Sequence, residues 1–196
     1  MHETVKRDSI SPDRELEQRV RGHLDLGPDI DSTAWLAPGV VVLGAVTIGA
    51  RASLWPGVIV RADLSPITIG EECNLQDGVV LHVADNGPVW LGRAVSCGHR
   101  AVIHACTIGD ECLVGMGALV MDQASIGRQC ILAAGTVVPK GMQVPDGHLV
   151  MGVPGRVVRP LTGSERSGLA RLAEKYVRVS AIYRARSTGC ESIPEC

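Results

Sequence analysis

Three histidines carry the chemistry this sequence offers. His82 stands in Val79-Val-Leu-His-Val-Ala-Asp-Asn-Gly87, and His99 and His104 stand in Cys97-Gly-His-Arg-Ala-Val-Ile-His104. Imidazole nitrogens suit zinc and iron alike. Residues five apart share neither a helical face, where i and i+4 align, nor a strand face, where the period is two. His99 and His104 therefore flank a bend, and the elements that make the bend must be found.

Those elements come from a repeat. From Ile30 an aliphatic residue returns every six positions through Leu36, Val42, Ile48, Leu54 and Val60. The count resumes from Ile108 through Val114, Val120, Ile126, Leu132, Val138, Val144 and Val150. Such spacing cannot trace one face of a 3.6-residue helix. A second small or apolar residue usually follows four positions later (Val46, Ala52, Val58, Cys73, Val79), so each hexad supplies two inward side chains. Three hexads close a triangular coil. Coils beginning at Ile30, Ile48, Ile69, Leu91, Ile108, Ile126 and Val144 give about seven, stacked roughly 4.8 Å apart. The fold class is mainly β, and it resembles the parallel β-helix of hexapeptide-repeat proteins, whose left hand the resemblance implies. A narrow prism agrees with 23 Gly, three Trp, two Tyr and no Phe.

The register breaks at Val60 to Ile69, Leu81 to Leu91 and Ile103 to Ile108, steps of nine, ten and five residues. Each break follows the third hexad of its coil, so all three lie on one edge. The residues just after those aliphatics are Arg61, His82 and His104. Stacked in adjacent coils, His82 and His104 have backbones about 4.8 Å apart and can share an ion at roughly 2.0–2.1 Å each. His99, around the corner, reaches instead an ion held by a neighbouring prism. Three prisms then make three sites, each with two histidines from one copy and one from the next, and an open position for catalysis. The plainer alternative is that these histidines cap turns, as His2, His23 and the inward His148 are expected to do.

Outside the repeat, residues 1–27 form a polar N-terminal extension whose first 22 residues are expected to be mobile or to cover neighbours. Residues 28–161 form the β-helix, 162–186 a C-terminal helix, and 187–196 a flexible tail. Thr162-Gly-Ser-Glu165 is a capping-box pattern, and Leu169, Leu172, Tyr176, Val179 and Tyr183 make its apolar stripe. The basic residues of that helix, Arg166, Arg171, Lys175, Arg178 and Arg184, read as its solvated face. A net charge of −2 without long charge runs argues against nucleic acid and membrane partners. The N-terminus lacks a signal-peptide core, and a cytoplasmic location is expected. Seven cysteines without a CxxC pair argue for buried thiols rather than disulfides, with Cys190 and Cys196 exposed in the tail.

Arg61-Ala-Asp63, Asn74-Leu-Gln-Asp-Gly78, Leu81-His-Val83, Gly98 to Asp110, Met116 to Gly127 and Met151 to Thr162 together resemble the γ-class carbonic anhydrase-like branch of the hexapeptide-repeat proteins. The resemblance covers roughly residues 28 to 185. It implies that His82 and His104 bind Zn2+ or Fe2+ in one subunit of a homotrimer and His99 binds the ion of the next. It implies an Arg61–Asp77 salt bridge between subunits, with Asp63 ordering the site. Gln76 would hydrogen-bond the reacting water, and Tyr176 would reach the pocket. An exposed amide for Gln76, core packing for Tyr176 and turn solvation for Arg61, Asp63 and Asp77 are the alternatives.

The implied activity is reversible hydration of carbon dioxide to bicarbonate by a metal-generated hydroxide. Leu64 stands where the family's proton-shuttle glutamate is found, and Asp85 is the one acid in a shortened loop after His82, so weak activity is expected. A thioester hydrolase using the same site, favoured by the shortened loop and by Leu64, which would leave a more apolar mouth, and an inactive trimeric scaffold are the other readings. An acyltransferase, which needs one histidine and no metal, fits three spaced histidines poorly.

Overall fold

A computed structural model describes residues 12–188. His2, Cys190, Cys196 and the expected tail from 189 onward lie outside the described residues. Helix α1 (Pro12–Leu26) leads into a stack of short parallel strands, and helix α2 (Gly163–Thr188) follows it. The expected inward residues pair coil to coil: Ile48, Ile69 and Leu91 on the first face, Leu54, Leu75, Cys97 and Val114 on the second, and Val60, Leu81, Ile103 and Val120 on the third. Strands Val41–Ile48 and Ile59–Ile69 run round a corner and join the first and third faces into one 11-stranded sheet, while the second is eight-stranded.

Leu54, Leu75, Leu81, Leu91, Ile103 and Ile108 are fully buried, because an inward side chain in a closed coil meets two other faces and two neighbouring coils. Coil one departs from expectation. Ile30 is 36% exposed, and Leu36 and Val42 are half-buried, since that coil has a neighbour coil on one side only. His148 also departs: it is half-buried, with its ring against the carbonyl of Asp146, at the start of the hairpin that ends the prism (His148–Gly152 with Gly155–Pro160). The thiols of Cys73 and Cys112 donate to carbonyls of the next coil, Gly92 and Gly127, both at 3.0 Å. They behave as satisfied core groups.

Outside the third face, one aliphatic per coil forms a stripe of Val41, Ile59, Val80, Val102, Leu119 and Val137. Val41 and Ile59 are each 40% exposed. An outward column on a half-solvated sheet is normally polar, so this stripe marks a surface built for packing.

Helix α2 lies across the second face. Leu169, Ala173 and Ser180 are buried there, and Leu172, Tyr176 and Val179 are half-buried. Tyr183 is half-exposed, though its ring packs tilted against Trp35 at 5.4 Å and edge-on to Trp55 at 5.1 Å. The capping box forms: Glu165 N–H donates to Thr162 Oγ1 at 3.2 Å, and Thr162 N–H to Glu165 Oε2 at 2.8 Å. Both terminal guanidinium nitrogens of Arg159 donate to the same carboxylate. The Arg159 and Thr162 bonds hold Glu165 down at about 2 from an ordinary 4.5. A depressed acid stabilises the fold above its unfolded value and loses that contribution as pH falls. The melting temperature should therefore drop between about pH 4.5 and pH 2. In thermal melts of Glu165→Gln, that component should be missing.

Helix α1 was not expected over residues read as mobile. It has acids in its first turn and a histidine in its last, yet no buried residue, so it carries little hydrophobic signal. It rests on strands Val41–Ile48 and Ile59–Ile69. Among the described residues, no helix is long and apolar enough to cross a membrane.

Candidate metal centre

The bend between His99 and His104 is made by Arg100, which sits in the left-handed region at φ +59° and donates its N–H to Asp77 O at 2.9 Å. The second corner follows His104 directly. Ala105, at φ +45°, donates to His82 O at 3.0 Å, which ends coil four after a short step. Between these corners strand Val102–His104 pairs in register with Val80–His82, and Arg61 pairs with His82 on the other side. Arg61, His82 and His104 thus form the expected column.

His82 Nδ1 and His104 Nε2 lie 3.1 Å apart. Each ring's other nitrogen faces a carboxylate: His82 Nε2 is 3.1 Å from Asp63 Oδ1, and His104 Nδ1 is 2.5 Å from Asp122 Oδ1. Arg61 in turn donates to Asp63. Burial alone would raise the Asp63 carboxyl, but bonds from Arg61 and His82 outweigh it and hold it below the usual range. The bond from His104 holds Asp122 low as well. Burial, with the positive charge of Arg61, pushes His82 down and favours its neutral ring.

This donor set fits a divalent cation. With both outer nitrogens protonated toward carboxylates, the two inner nitrogens present lone pairs to each other, an arrangement that calls for a positive charge between them. Two nitrogens bound tetrahedrally at 2.0–2.1 Å stand about 3.3 Å apart, close to the observed separation. Carboxylates behind ligating histidines fix the ring orientation and raise ligand basicity. Asp122→Asn should accordingly weaken metal affinity about 10- to 100-fold, measured by chelator competition; an unchanged affinity would mean that Asp122 does not support the ligand.

Gln76, Asp77 and His99 lie at the other edge of the third face, ahead of strands Val80–His82 and Val102–His104. His99 Nδ1 is 2.9 Å from Asp77 Oδ2, and the two border an open depression of about 520 Å³ with Arg100, Met116 and Gly117. Gln76, 5% exposed, donates to Asn74 Oδ1 at 3.2 Å, and Asn74 donates to Ser96 Oγ at 2.7 Å. The alternative of an exposed amide at Gln76 is thereby excluded. Tyr176 packs edge-on to Trp55 at 5.9 Å, and its hydroxyl is pushed up by burial and by the charge of Asp77. His99 precedes the Arg100 corner and His104 ends the strand that follows it, so the two stand at opposite ends of the third face. Among the described residues, no group of three or more His, Cys, Asp and Glu is placed to hold a metal. Within this chain Arg61 pairs with Asp63 and Asp77 with His99. Asp85 sits on the first edge, bonded to Arg19 at 2.7 Å. Leu64 is half-buried and packs against the core.

Sequence reasoning missed Asp122, Asn74 and Arg19. Asp122 had a signal: it is the first charged residue after the column aliphatic Val120 in the coil stacked on His104. Asn74 stood in the sequence only within a motif; in the fold it is fully buried on a strand that α2 contacts.

The family described as bacterial transferase hexapeptide (six repeats) matches residues 105–140. The chain is 34% identical over 158 residues to a carbonic anhydrase of Geobacillus kaustophilus, covering 81% of this chain and 87% of that one. It is 33% identical over 170 residues to the mitochondrial gamma carbonic anhydrase 2 of Arabidopsis thaliana, covering 84% of this chain and spanning only 61% of that relative's length. A hexapeptide transferase family protein of Anaplasma phagocytophilum superposes with a TM-score of 0.76 at 39% identity, over 80% of this chain and 92% of that one.

Proposed function

The chain belongs to the γ-class carbonic anhydrase-like family of hexapeptide-repeat proteins, and from that premise we propose that it is a metal-dependent carbonic anhydrase. Its reaction is the reversible hydration of carbon dioxide to bicarbonate at sites shared among three copies. The observation that carries this reading is the line Asp63, His82, His104, Asp122, in which two imidazoles backed by carboxylates turn their free nitrogens to one point.

His82 and His104 would hold the ion with His99 of the partner subunit, and zinc and ferrous iron both suit three imidazoles. Such an ion supplies Lewis acidity that makes hydroxide available near neutral pH. Asp63 and Asp122 orient the two rings. Gln76, braced by Asn74 and Ser96, offers an amide to orient the reacting oxygen. Tyr176, packed on Trp55, would flank that side of the pocket, and Asp85, the acid nearest in sequence to the first ligand, would take the released proton when it is not engaged by Arg19. Arg61 and Asp77, exposed on opposite edges of the third face, pair across the subunit interface. The apolar stripe from Val41 to Val137 supports the trimer, since it lies between the two half-sites and brings one copy's first edge toward another's second. Five buried free cysteines among the described residues favour a reducing compartment, and we assign the cytoplasm.

The thioester alternative, favoured by the shortened loop after His82 and by Leu64, would use the same metal site, and Leu64 is half-buried against the core. The deciding experiment is stopped-flow carbon dioxide hydration on protein reconstituted anaerobically with zinc or ferrous iron. Hydration well above buffer is expected. A metal-replete trimer without hydration would overturn the reading and direct attention to thioesters.

A further inference from the structure

We propose that Arg19 of α1 is a latch that pins the Ala84–Pro88 loop against the edge of the metal site and holds Asp85 away from proton transfer; the proton part of this rests on the anhydrase reading. Two stretches run side by side at this edge. Asp63 meets His82, and two residues on Ser65 Oγ donates to Ala84 O at 2.9 Å and to Asp85 O at 3.3 Å. The loop closes on itself through Ala84 N–H to Gly87 O and Gly87 N–H to Ala84 O, both 3.1 Å. Ser65 thus fixes its inner side, and Arg19 Nη2 takes the Asp85 carboxylate on its outer side at 2.7 Å.

The latch is lightly held. Helix α1 buries no residue, Leu16 and Leu24 are 49% and 44% exposed, and Arg19 Nε is enclosed without a hydrogen-bond partner. The ion pair is itself open to water, with side chains 34% and 68% exposed. Exposed pairs contribute little and are screened by salt, so this one opens readily. Asp85 lies three residues past His82, about 10 Å of extended chain. Once released it can swing back toward the site, accept the proton shed by the reacting water, and pass it to buffer. Arg19 acts here as a positioning residue, since it governs where another group's carboxylate stands.

The test compares the full-length, metal-replete wild type with Arg19→Ala, Arg19→Lys and Arg19→Ala/Asp85→Asn. Amide hydrogen exchange at Ala84 and Gly87 should quicken several-fold in Arg19→Ala and stay near wild type in Arg19→Lys. Turnover at low buffer concentration should rise in Arg19→Ala, should not rise in the double variant, and should match wild type at high buffer concentration. Added salt should move the wild type toward Arg19→Ala. Unchanged exchange in Arg19→Ala, or a gain in turnover that survives Asp85→Asn, would overturn the latch. If exchange quickens while no variant hydrates carbon dioxide, the latch stands and the anhydrase reading falls.

Discussion

Purified His104→Ala protein should fold, and it should lose both its metal and carbon dioxide hydration to the buffer background. The side chain points outward from the third face and is half-buried, while its inward neighbour Ile103 is fully buried and stays in place. Folding therefore tolerates the change. The metal does not, because His82 Nδ1 loses the nitrogen it faces at 3.1 Å and Asp122 loses the ring it orients. Loss of a carboxylate behind a ligand costs about 10- to 100-fold in affinity, and loss of the ligand itself should exceed that. Metal analysis with stopped-flow hydration reads both effects. Full metal retention in a folded His104→Ala trimer would remove this histidine from the ligand set.

Leu81→Ala should damage the same site through the core. Leu81 is fully buried, stacks between Val60 and Ile103, and directly precedes His82. Truncating a buried leucine removes its transfer free energy and leaves a cavity, together about 2–5 kcal/mol. In a solenoid each coil contacts its neighbours alone, so the loss falls on the junction of coils three and four, where the histidine pair is aligned. The midpoint of thermal unfolding should fall by roughly 5–15 °C, with weaker metal binding. Val158→Ala, at a 54% exposed position of the terminal hairpin, should change stability by less than about 0.5 kcal/mol and serves as the control. Equal effects of the two would mean that the third-face column does not carry the fold.

The repeat was legible because its inward positions answer to one demand. A side chain enclosed by three faces must be aliphatic or small, and the unbroken six-residue spacing from Ile30 to Val60 and again from Ile108 to Val150 records that demand. The breaks after Val60, Leu81 and Ile103 were legible for the opposite reason: chain length spent outside the repeat needs another cause. What stayed hidden depends on contacts between distant segments. Asn74 and Ser96 are polar residues that the fold buries on strands α2 contacts. Asp122 becomes a partner of His104 only once the corner after Val120 is built. Helix α1 lacks a buried stripe, so its polar sequence resembled a mobile extension. Its one telling contact, Arg19 with Asp85, joins residues 66 positions apart. His148 and Ile30 are less enclosed than their inward positions predicted because the repeat pattern continues into end coils that lack a second neighbour, although His148 does bond within its turn as expected.

The claim on which everything else depends is that each site is divided between copies, and mixing two inactive proteins tests it most directly. His99→Ala and His104→Ala subunits, each unable to build a site alone, should recover metal and hydration when co-expressed and assembled together. In a mixed trimer the His99→Ala copy still brings His82 and His104, and the His104→Ala copy still brings His99, so one kind of interface is whole. Recovery in the mixed trimer and in neither homotrimer is the result this account predicts. Mixed trimers as empty and inactive as their parents would contradict it, and would place the three histidines in separate roles within one chain.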